Sequence, residues 1–437
     1  MIAFCITCKG RTEHLERTLP INLKNNTASD AKFLILDYGS QDNLLEYLST
    51  KHAADIASGR VIVYSYRTDG SFKMAHAKNM AHRLGILEGA EVLINLDADN
   101  FTGEGFATWV EEQFKQQGIF LWAGIVKGRG RKFRGCSGRI GVSAHAFIKA
   151  GGYDERYETW SPDDKDFNAR LCRLGYGAVE IEEQFIESVP HGDGIRFREY
   201  PHIQSNVVQL EYELEKHYAT VVNCGNFGCG TVYKNFDFGT PIVLRPVPSR
   251  IFGVGLHKTA TNSLAAALRA LKIETKHWES ARRAKDIWME MKIGHSSLTV
   301  DQSYALCDLP VPLLYKELDV AYPGSKFILT TRPEADWLES IKNHWNPETN
   351  KWRETWDTDC FTHRVHYELY GTRKLEPEVF LRKYLTHNAE VRNYFKDRPA
   401  DLLELPMDGT AGWKELCGFL EKPIPDRPYP AEYRTGS

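Results

Sequence analysis

Residues 92–100 read VLINLDADN. An apolar run from Val92 to Leu96 ends in two carboxylates, Asp97 and Asp99. A short apolar run bounded by turn-forming residues is typical of a buried strand. Paired carboxylates just beyond such a strand bind phosphate indirectly, through a divalent metal. Taken alone, the Asp-x-Asp pattern is equally well explained by an Asx turn that closes the strand, so the surrounding sequence has to decide.

This strand belongs to a series in which strand-like and helix-like runs alternate. Five runs are short, apolar and rich in β-forming residues: Ile2–Thr7, Phe33–Asp37, Val61–Tyr66, Val92–Leu96 and Ile119–Val126. Three runs between them have helical spacing: Asn43–Ala57, Lys73–Leu87 and Gly105–Gln117. Such alternation predicts an α/β fold with a largely parallel sheet that helices cover on both faces. Ligands bind beyond the carboxyl ends of the strands in these sheets, which is where Asp37 and Asp97 lie.

A second phosphate-binding pattern occupies residues 253–263, which read GVGLHKTATNS. A strand-like run leads into a glycine-bearing turn that contains Lys258, and hydroxyl side chains then precede a helix. Backbone N–H groups and an ammonium in such a turn bind phosphate directly. His257 before the lysine departs from the Walker A pattern, which disfavours an ATPase or a kinase. The hydroxyls alone could be N-caps. Because one ligand seldom needs both a metal-binding carboxylate pair and a lysine turn, we expect two active sites.

The lysine turn begins a second domain. The prolines between Pro241 and Pro248 predict a linker. The strand-like runs that follow are Ile251–Val254, Phe327–Thr331 and Leu402–Leu405, and the helical ones are Asn262–Leu271, Glu334–Asn343, Glu376–Lys396 and Trp413–Leu420. We expect a first domain over residues 1–240 and a second domain over 249–437. The catalytic core of the first domain is expected in about 1–200, followed by a helical extension (Val207–Tyr218) and a linker to about 248.

Composition and charge exclude several classes of function. The 437 residues carry 55 basic and 58 acidic side chains, so no nucleic-acid or anionic-membrane surface is expected. The first residues are too charged for a signal peptide, and no apolar run approaches the ~18–20 residues of a transmembrane segment. Nine cysteines, an odd number, indicate reduced thiols in a cytoplasmic protein. Cys5 and Cys8 have redox-motif spacing, but their apolar surroundings favour buried strand cysteines.

Four motifs follow one another in the first domain. They are Leu36–Asp42 (LDYGSQD), Ala77–Asn79 (AKN), Asp97–Asp99 (DAD) and Gly151–Phe167, which ends in WSPDDKDF. Together they resemble the motifs of inverting GT-A glycosyltransferases of the large family-two type, including galactosyl- and hexosaminyl-transferring members. The resemblance implies a Rossmann-like mixed sheet, a nucleotide-sugar donor (a UDP-sugar is favoured), Mn²⁺ or Mg²⁺, and a glycan or glycoconjugate acceptor.

The same resemblance assigns roles to the first three motifs. It implies that Asp37 contacts the nucleotide base, and that Lys78, followed by Asn79, faces the diphosphate of the donor. It also implies that Asp97 and Asp99 hold the metal.

The fourth motif carries the acid–base chemistry. Asp163 and Asp164 correspond to the family's Glu-Asp pair, and Asp164 is the expected general base that takes the proton of the attacking acceptor hydroxyl. Ser161-Pro162 in place of the usual Gly-x puts the shape of the acceptor pocket in doubt more than the chemistry. Farther along, His191 lies where related enzymes have a further metal ligand; a loop histidine bonded to the backbone explains it equally well.

Three segments of the second domain also occur in a recognisable order. They are the lysine turn, then FILTTR and WLES at 327–332 and 337–340, then DG and GWKELC at 408–409 and 412–417. They resemble sulfotransferases that use 3′-phosphoadenosine 5′-phosphosulfate (PAPS), with its product PAP. The resemblance implies that Arg332 and Ser340 hold the 3′-phosphate and that Lys258 lies near the bridging oxygen. The turn residues implied to bind the donor are His257, Lys258, Thr259, Ala260, Thr261, Asn262 and Ser263.

Sulfuryl transfer also needs a group that takes the acceptor proton. Cys307–Pro310 resembles the segment that carries a catalytic histidine in many soluble sulfotransferases, with Asp308 in its place. Asp308 is therefore the expected base, with His277 as the reserve. A cap on a helix that starts at Pro310 explains Asp308 about equally well.

The sequence as a whole indicates a bifunctional cytoplasmic enzyme, a glycosyltransferase joined to a sulfotransferase, that acts on one glycan or on related glycans. One alternative is a glycosyltransferase whose C-terminal domain is a degenerate nucleotide-binding or scaffold domain. Another is a C-terminal nucleotide kinase. The presence of Asp97, Asp99, Asp164, Lys258 and Arg332 argues against loss of chemistry in either domain.

Overall fold

The computed structural model describes residues 1–124, 135–157, 162–190, 222–278, 281–293, 297–345, 361–372 and 374–431. The chain divides into two compact units, Met1–Val247 and Pro248–Ser437. Both units are α/β, which confirms the predicted fold class. His191, Ser161 and the predicted helix Val207–Tyr218 lie outside the described residues. None of the helices in the described ranges combines the length and apolar character needed to cross a membrane.

The first unit contains eleven strands within its described residues. They are β1 (Ile2–Cys8), β2 (Lys32–Asp37), β3 (Val61–Tyr66), β4 (Val92–Asn95), β5 (Asn100–Phe101), β6 (Ile119–Trp122), β7 (Ile140–Ser143), β8 (Gly177–Glu180), β9 (Glu187–Ser188), β10 (Gly230–Lys234) and β11 (Pro241–Leu244). Its helices are α1 (Thr12–Asn25), α2 (Leu44–Lys51), α3 (Ala53–Ala57), α4 (Met74–Leu87), α5 (Phe106–Gln113), α6 (Ala144–Lys149) and α7 (Asp163–Arg173).

Nine of these strands form one mixed sheet in the order β11-β10-β3-β2-β1-β4-β7-β6-β8. The centre, β3-β2-β1-β4, is parallel, and β10, β11 and β7 pair in the antiparallel sense. Pro241–Leu244 was expected to belong to the linker, but it forms the edge strand β11 and pairs with β10. A proline is tolerated there because it is the first residue of an edge strand.

Helices pack on both faces of this sheet because successive strand side chains point to opposite sides. Phe4, Ile6 and Cys8 belong to the core shared with α1, α2 and α5, whereas Ala3 and Cys5 belong to the core shared with α4, α6 and α7. Cys5 and Cys8 are therefore fully buried on opposite faces. Burial raises the pKa of both thiols well above its usual value, which agrees with the prediction of structural strand cysteines.

The strand ends place the expected site residues along one edge of the sheet. Cys8 of β1 lies level with Asp37 of β2, and Asp37 lies level with Ser65 of β3. Asp97 follows β4, which pairs with β1 in the parallel sense. Asp37 and Asp97 therefore both lie at the carboxyl edge, as the alternating pattern predicts.

The second unit is built on a five-stranded parallel sheet in the order β13-β14-β12-β15-β16. The strands are β12 (Ile251–Gly253), β13 (Thr275–His277), β14 (Ala305–Cys307), β15 (Lys326–Thr331) and β16 (Leu402–Pro406). The described helices are α8 (Thr261–Ala270), α9 (Ala281–Lys292), α10 (Leu298–Asp301), α11 (Tyr315–Ala321), α12 (Glu334–Trp345), α13 (Phe361–Tyr370), α14 (Pro377–Tyr394) and α15 (Trp413–Leu420).

The long helix α14 supplies much of the core of this unit. Phe380, Tyr384 and Val391, together with Phe395 just beyond the helix, are almost completely buried, as their helical spacing predicts. β12 lies at the centre of the sheet, so the lysine turn that follows it is surrounded by the carboxyl ends of β14 and β15.

Candidate active sites

A buried lysine and two carboxylates form the centre of the first site. Lys78 on α4 donates through Nζ to Asp163 Oδ2 at 2.7 Å and to Asp164 Oδ1 at 2.6 Å. The two acids are the first residues of α7, where the positive end of the helix dipole stabilises negative charge. The ammonium also lies 5.0 Å from the centroid of the Tyr153 ring. This arrangement fixes the side chain of the expected base, Asp164.

Burial and charge oppose each other at this centre. Burial alone would lower the pKa of Lys78, but the carboxylates of Asp163 and Asp164 outweigh it and raise that pKa well above its usual value. Burial raises the pKa of Asp163 to about 7, against the attraction of Lys78. Burial likewise raises the pKa of Asp97 to about 6, and Asp99 and Asp164 add to the effect. The carboxylates outnumber the ammonium, so a bound cation would be stabilised here.

Asp97 and Asp164 approach the same point in space, next to Gly138. A β-carbon at position 138 would lie 3.0 Å from Asp164 Oδ2 and 3.1 Å from Asp97 Oδ2. The carbonyl of Gly138 accepts a hydrogen bond of 2.8 Å from Asn95 Nδ2, which also donates to Asp97 Oδ1 at 3.3 Å. The structure thus brings together the predicted metal carboxylate and the predicted base. Gly138 itself was missed, because no motif marks it.

The turn that carries Asp99 is held by buried polar side chains. Asn100 Nδ2 donates to Asp99 Oδ1 at 2.9 Å and to the carbonyl of Gly135 at 3.2 Å. Arg139, fully buried, donates to Asn100 Oδ1 at 3.1 Å and to the carbonyl of Phe101 at 2.9 Å. These bonds hold the turn that carries Asp99.

The donor set of this turn fits a hard divalent cation. Asp97 and Asp99 offer carboxylate oxygens, the ligands that Mg²⁺ and Mn²⁺ prefer. Within the described ranges no group of three or more His, Cys, Asp or Glu side chains is arranged to hold a metal. Two protein ligands are compatible with such a cation when substrate phosphates and water complete its coordination.

Asp37 closes the turn after β2. Its Oδ1 accepts a hydrogen bond of 2.8 Å from the Ser40 N–H, and Ser40 Oγ accepts one of 3.2 Å from the Gly10 N–H. Burial raises the pKa of Asp37, and the hydrogen bond from Ser40 opposes that shift. The carboxylate is therefore positioned at the sheet edge by the two turns that follow β1 and β2.

Lys78 and Asn79 use their polar groups inside the fold. Asn79 Nδ2 donates to the carbonyl of Tyr153 at 2.7 Å and to Glu155 Oε1 at 2.9 Å, and its Oδ1 accepts from the Tyr153 N–H at 2.6 Å. A β-carbon at Gly152 would lie 2.3 Å from Asn79 Oδ1, so this turn requires glycine. Asn79 therefore holds the Gly151-Gly152 turn against α4. The donor contacts expected of Lys78 and Asn79 stay predictions.

The second site is the turn between β12 and α8. A β-carbon at Gly255 would lie 2.0 Å from Thr330 Oγ1, so only glycine fits beside β15. Thr259 Oγ1 hydrogen-bonds Thr330 Oγ1 at 2.7 Å. Lys258 and Ala260 have φ of 68° and 62°, in the left-handed region that residues with a β-carbon seldom adopt. Backbone strain of this kind occurs where loops are shaped to bind ligands.

His257 is buried behind this turn. Its Nε2 pairs with the hydroxyl of Tyr370 at 3.0 Å, and its carbonyl accepts a hydrogen bond of 3.1 Å from Trp337 Nε1. His257 is 6% exposed, and its two hydrogen bonds anchor the turn to α12 and α13. The donor contact expected of His257 stays a prediction.

Arg332 lies at the end of β15, next to the turn. Its Nη1 donates to the carbonyl of Lys258 at 3.3 Å, and its backbone N–H and carbonyl both bond the hydroxyl of Tyr384 at 2.9 Å. An open pocket of about 440 Å³ adjoins it, lined in part by Asn388 and Asp408. Ser340 lies on α12 and is half-buried. The arginine and the lysine turn thus form one connected structure.

The two expected proton acceptors of this unit lie side by side. His277 ends β13, and Asp308 follows β14. His277 Nε2 lies 2.9 Å from Thr261 Oγ1 and 3.5 Å from Asp308 Oδ2. Burial lowers the pKa of His277 against the attraction of Asp308, and burial raises the pKa of Asp308 against the attraction of His277. The two candidate bases, His277 and Asp308, therefore lie in one cluster of side chains with Thr261.

Comparison with known proteins identifies the second unit. Residues 250–437 match the sulfotransferase domain family. This unit is a sulfotransferase domain. The match confirms the resemblance of the second unit to sulfotransferases, and the lysine turn, Arg332 and Asp308 all lie within the matched residues. A curated relative, Ava biosynthesis cluster protein M of Aspergillus versicolor, is 25% identical over 212 residues, which cover 41% of this chain and 79% of the relative.

Solved structures similar to the chain include the following three. The mannosyltransferase PcManGT from Pyrobaculum calidifontis, solved with GDP-Man and Mn²⁺, shares 14% identity over 49% of this chain and 62% of its own, with a TM-score of 0.37. TarS 1-349 of S. aureus with UDP shares 11% over 45% and 62%, with a TM-score of 0.35. The catalytic domain of Drosophila β1,4-galactosyltransferase 7 with xylobiose shares 14% over 50% and 81%, with a TM-score of 0.35.

In the sulfotransferase domain, the residues of the lysine turn differ in their exposure to solvent. Thr259, Thr261 and Ser263 are buried, and Asn262 is exposed on the first turn of α8. Sequence reasoning missed the residues that brace the turn from outside it, chiefly Thr330. That threonine is inside the FILTTR motif, so the motif was the available signal.

Proposed function

We propose that the chain is a bifunctional transferase. Its first unit would transfer a sugar from a nucleotide sugar, favoured to be a UDP-sugar, to a glycan or glycoconjugate with inversion. Its sulfotransferase domain would transfer a sulfuryl group from PAPS to a hydroxyl of the same or a related glycan. The observation that carries the sugar-transfer part is the meeting of Asp97 and Asp164 beside Gly138, since metal-assisted inverting transfer uses a metal-binding carboxylate and a base around one reacting carbon.

In sugar transfer, Asp164 would take the proton of the acceptor hydroxyl as that oxygen attacks the anomeric carbon. Lys78 would hold Asp164 and Asp163 in place through its two hydrogen bonds. Asp97 and Asp99 would hold Mn²⁺ or Mg²⁺, which supplies Lewis-acid stabilisation of the departing diphosphate when bound.

Two further roles complete the donor site of this unit. Asp37 would contact the nucleotide base from the carboxyl edge of the sheet. His191 would be a further metal ligand, a role that rests on its sequence position alone.

In sulfuryl transfer, Lys258 would neutralise charge on the bridging oxygen and the turn N–H groups would contact the sulfate oxygens. Arg332 and Ser340 would hold the 3′-phosphate that distinguishes PAPS from ATP. Asp308 would take the acceptor proton, with His277 beside it.

A donor screen tests the sugar-transfer activity. The full chain is incubated with Mn²⁺, a panel of UDP- and GDP-sugars and a panel of oligosaccharides, and products are read by mass spectrometry. We expect transfer that depends on Mn²⁺ and falls by about 10²–10⁴-fold in Asp164→Asn. If calorimetry detects no nucleotide-sugar binding to the full chain, the sugar-transfer proposal is wrong.

A nucleotide comparison tests the sulfotransferase activity. Calorimetry with PAP and ADP should show tighter binding of PAP, and Arg332→Ala should remove most of that preference. A nucleotide kinase predicts ATP binding that ignores the 3′-phosphate and is insensitive to Arg332→Ala. A degenerate scaffold domain predicts binding of neither nucleotide, or binding without turnover.

A single acceptor for both units is the last part of the proposal. Joining two catalytic domains raises the effective concentration of the intermediate for the second step. With nucleotide sugar, PAPS and acceptor supplied together, we expect a product that carries both additions. Sulfation only of acceptors unrelated to the sugar product would exclude the shared acceptor while leaving both activities in place.

A further inference from the structure

The ends of β13 and β14 set two polar side chains against the start of α8. His277 and Cys307 are paired in register, and Asp308 is the next residue along the chain. Asp308 has φ of 76°, in the left-handed region. A residue with a β-carbon stays in that region only when its surroundings hold it there, and such residues cluster at functional sites.

The carboxylate of Asp308 is held at both oxygens. Its Oδ1 accepts a hydrogen bond of 2.9 Å from the Leu309 N–H, and its Oδ2 lies 3.5 Å from His277 Nε2. The same Nε2 lies 2.9 Å from Thr261 Oγ1. The side chains of His277 and Asp308 are only 12% and 17% exposed, so water screens this contact weakly.

We propose that His277 is a positioning residue of the sulfotransferase domain. It holds the Asp308 carboxylate and links it to Thr261, the first residue of the helix that follows the lysine turn. Base and donor loop are thereby aligned as one unit. The inference rests on the proposed function, in which Asp308 is the base.

The aligned groups would act on the two ends of one reaction. The acceptor oxygen forms a bond to sulfur while the bond between sulfur and the bridging oxygen of PAPS breaks, and that electron pair stays on the 5′-phosphate of PAP. The acceptor proton passes to Asp308 Oδ2. Lys258 in the turn would neutralise charge on the leaving oxygen. The distance from Asp308 to the turn would therefore decide whether proton removal and leaving-group stabilisation occur in the same complex.

His277 is assigned to positioning, and not to the base itself, because its ring nitrogens are already engaged. Nε2 faces Thr261 and Asp308, and the ring also hydrogen-bonds its own backbone. Asp308 Oδ2, in contrast, has a further lone pair for an acceptor hydroxyl. Lys258 and Arg269 are the other charged groups whose fields act on this pair.

An NMR titration tests the contact without any substrate. The His277 ring is followed in the full chain labelled at histidine, and the signal is assigned by its loss in His277→Gln. Removing the carboxylate in Asp308→Asn should lower the midpoint of the His277 titration by about 0.5–1 pH unit. Thr261→Val should shift it as well. Thr275→Val is the matched control. It also removes a buried hydroxyl from β13, but that hydroxyl donates its hydrogen bond to the carbonyl of Ile273.

Kinetics then separate positioning from a structural role. The probe is PAPS with water as acceptor, followed by release of PAP. His277→Gln should lower kcat by about 10–100-fold with little change in KM, and Asp308→Asn combined with His277→Gln should be no slower than Asp308→Asn alone. A role in stability only would lower the melting temperature and leave kcat of the folded fraction unchanged.

The outcomes separate this inference from the proposed function. If the wild-type chain fails to bind PAP in calorimetry, the assignment of the domain to PAPS chemistry is wrong, whatever the titration shows. If PAP binds but the His277 midpoint ignores Asp308→Asn, or His277→Gln keeps the wild-type kcat, the positioning role is wrong and the proposed function stands.

Discussion

The two units place their charged groups at the same structural position and with opposite sign. In both, the site lies at the carboxyl edge of parallel strands. In the first unit Asp97 and Asp164 meet beside Gly138, and the ammonium of Lys78 is bound to acids. In the second unit Lys258 lies in the turn between β12 and α8, where its carbonyl accepts a hydrogen bond from Arg332. Under the proposed function, the same edge of an α/β sheet would serve a metal-bridged diphosphate in one unit and a directly bound phosphosulfate in the other, according to the charge placed there.

The two sites also differ in what holds them rigid. Asn79, Asn95 and Asn100 fix the acidic site through side-chain amides that reach across from one element to another. The lysine turn is fixed in part by hydroxyls, with Thr259 against Thr330, in addition to its contacts with Trp337, Tyr370 and Arg332. An amide can bond a carboxylate and a carbonyl at once, which suits an acidic site. A hydroxyl is smaller, which suits a turn that lies close against a strand.

The largest expected effect concerns the charge balance of the first site. Lys78→Met removes the ammonium and leaves the buried carboxylate of Asp163 and the partly exposed carboxylate of Asp164 without their shared partner. Breaking a buried ion pair in this way costs about 3–5 kcal/mol, so the first unit should unfold at a lower denaturant concentration. Urea unfolding followed by tryptophan fluorescence and circular dichroism measures the change.

Lys234→Met is the matched control for that substitution. Lys234 is 39% exposed and pairs with Glu88 at 2.6 Å, so its loss should cost about 1 kcal/mol or less. Equal destabilisation by the two variants would mean that the acidic site gains nothing from its buried lysine, and the contrast drawn between the two sites would lose its electrostatic basis.

The next effect tests whether the two sites work independently. Lys258→Ala should cost about 3–4 kcal/mol of transition-state stabilisation in sulfuryl transfer, as expected for removing one preorganised donor. It should leave sugar transfer nearly unchanged, and Asp99→Ala should do the reverse. Parallel assays of PAP release and of sugar transfer on both variants measure this. Loss of both activities in either variant would show that the sites depend on each other.

A smaller effect is expected at Gly138. A methyl group there would meet Asp97 Oδ2 and Asp164 Oδ2 at about 3 Å, so Gly138→Ala should push the two carboxylates apart. We expect about a 10–100-fold loss of sugar transfer, which corresponds to roughly 1.4–2.8 kcal/mol, with binding of the free nucleoside diphosphate retained.

Gly177→Ala serves as the control because a β-carbon there meets only the Gly118 carbonyl, at 3.8 Å. Its sugar-transfer rate should stay at the wild-type level. A wild-type rate in Gly138→Ala as well would mean that the space between the two acids is not used in the reaction.

The strand ends could be predicted from the sequence because they depend on local patterns. Apolar runs that end in polar residues located Asp37 and Asp97, and the lysine turn was marked by its own composition. The edge strand at Pro241–Leu244 could not be predicted, since the prolines at 241, 246 and 248 indicated a linker and only the pairing with β10 makes this segment a strand. Strand pairing over long range leaves little trace in a short window of sequence.

Side-chain direction was the second thing that the sequence could not supply. Asn79 and His257 both belong to recognisable motifs, yet each points into the fold and braces a turn. Position in a motif says that a residue is near the site, and packing decides which way it faces. Gly138 was missed for the opposite reason, because it lies near two functional acids in space without any motif around it.

The smallest expected effect tests the strain in the lysine turn. Ala260 has φ of 62°, where glycine is unstrained and a β-carbon is not. Ala260→Gly should therefore stabilise the sulfotransferase domain by about 0.5–1 kcal/mol after the extra flexibility of glycine in the unfolded chain is deducted. Ala266→Gly, six residues on and inside α8, should destabilise it by about 1 kcal/mol. Chemical denaturation of the two variants gives opposite signs if the turn is strained, and the same sign if the left-handed geometry of Ala260 is relaxed by its surroundings. The acidic site has no counterpart to this test, because its turn is held by side-chain amides and Asp97 and Asp99 lie in ordinary backbone conformations. A stabilised Ala260→Gly variant would therefore show that preorganisation costs free energy in the backbone of the second unit. In the first unit the corresponding cost lies in the buried charges.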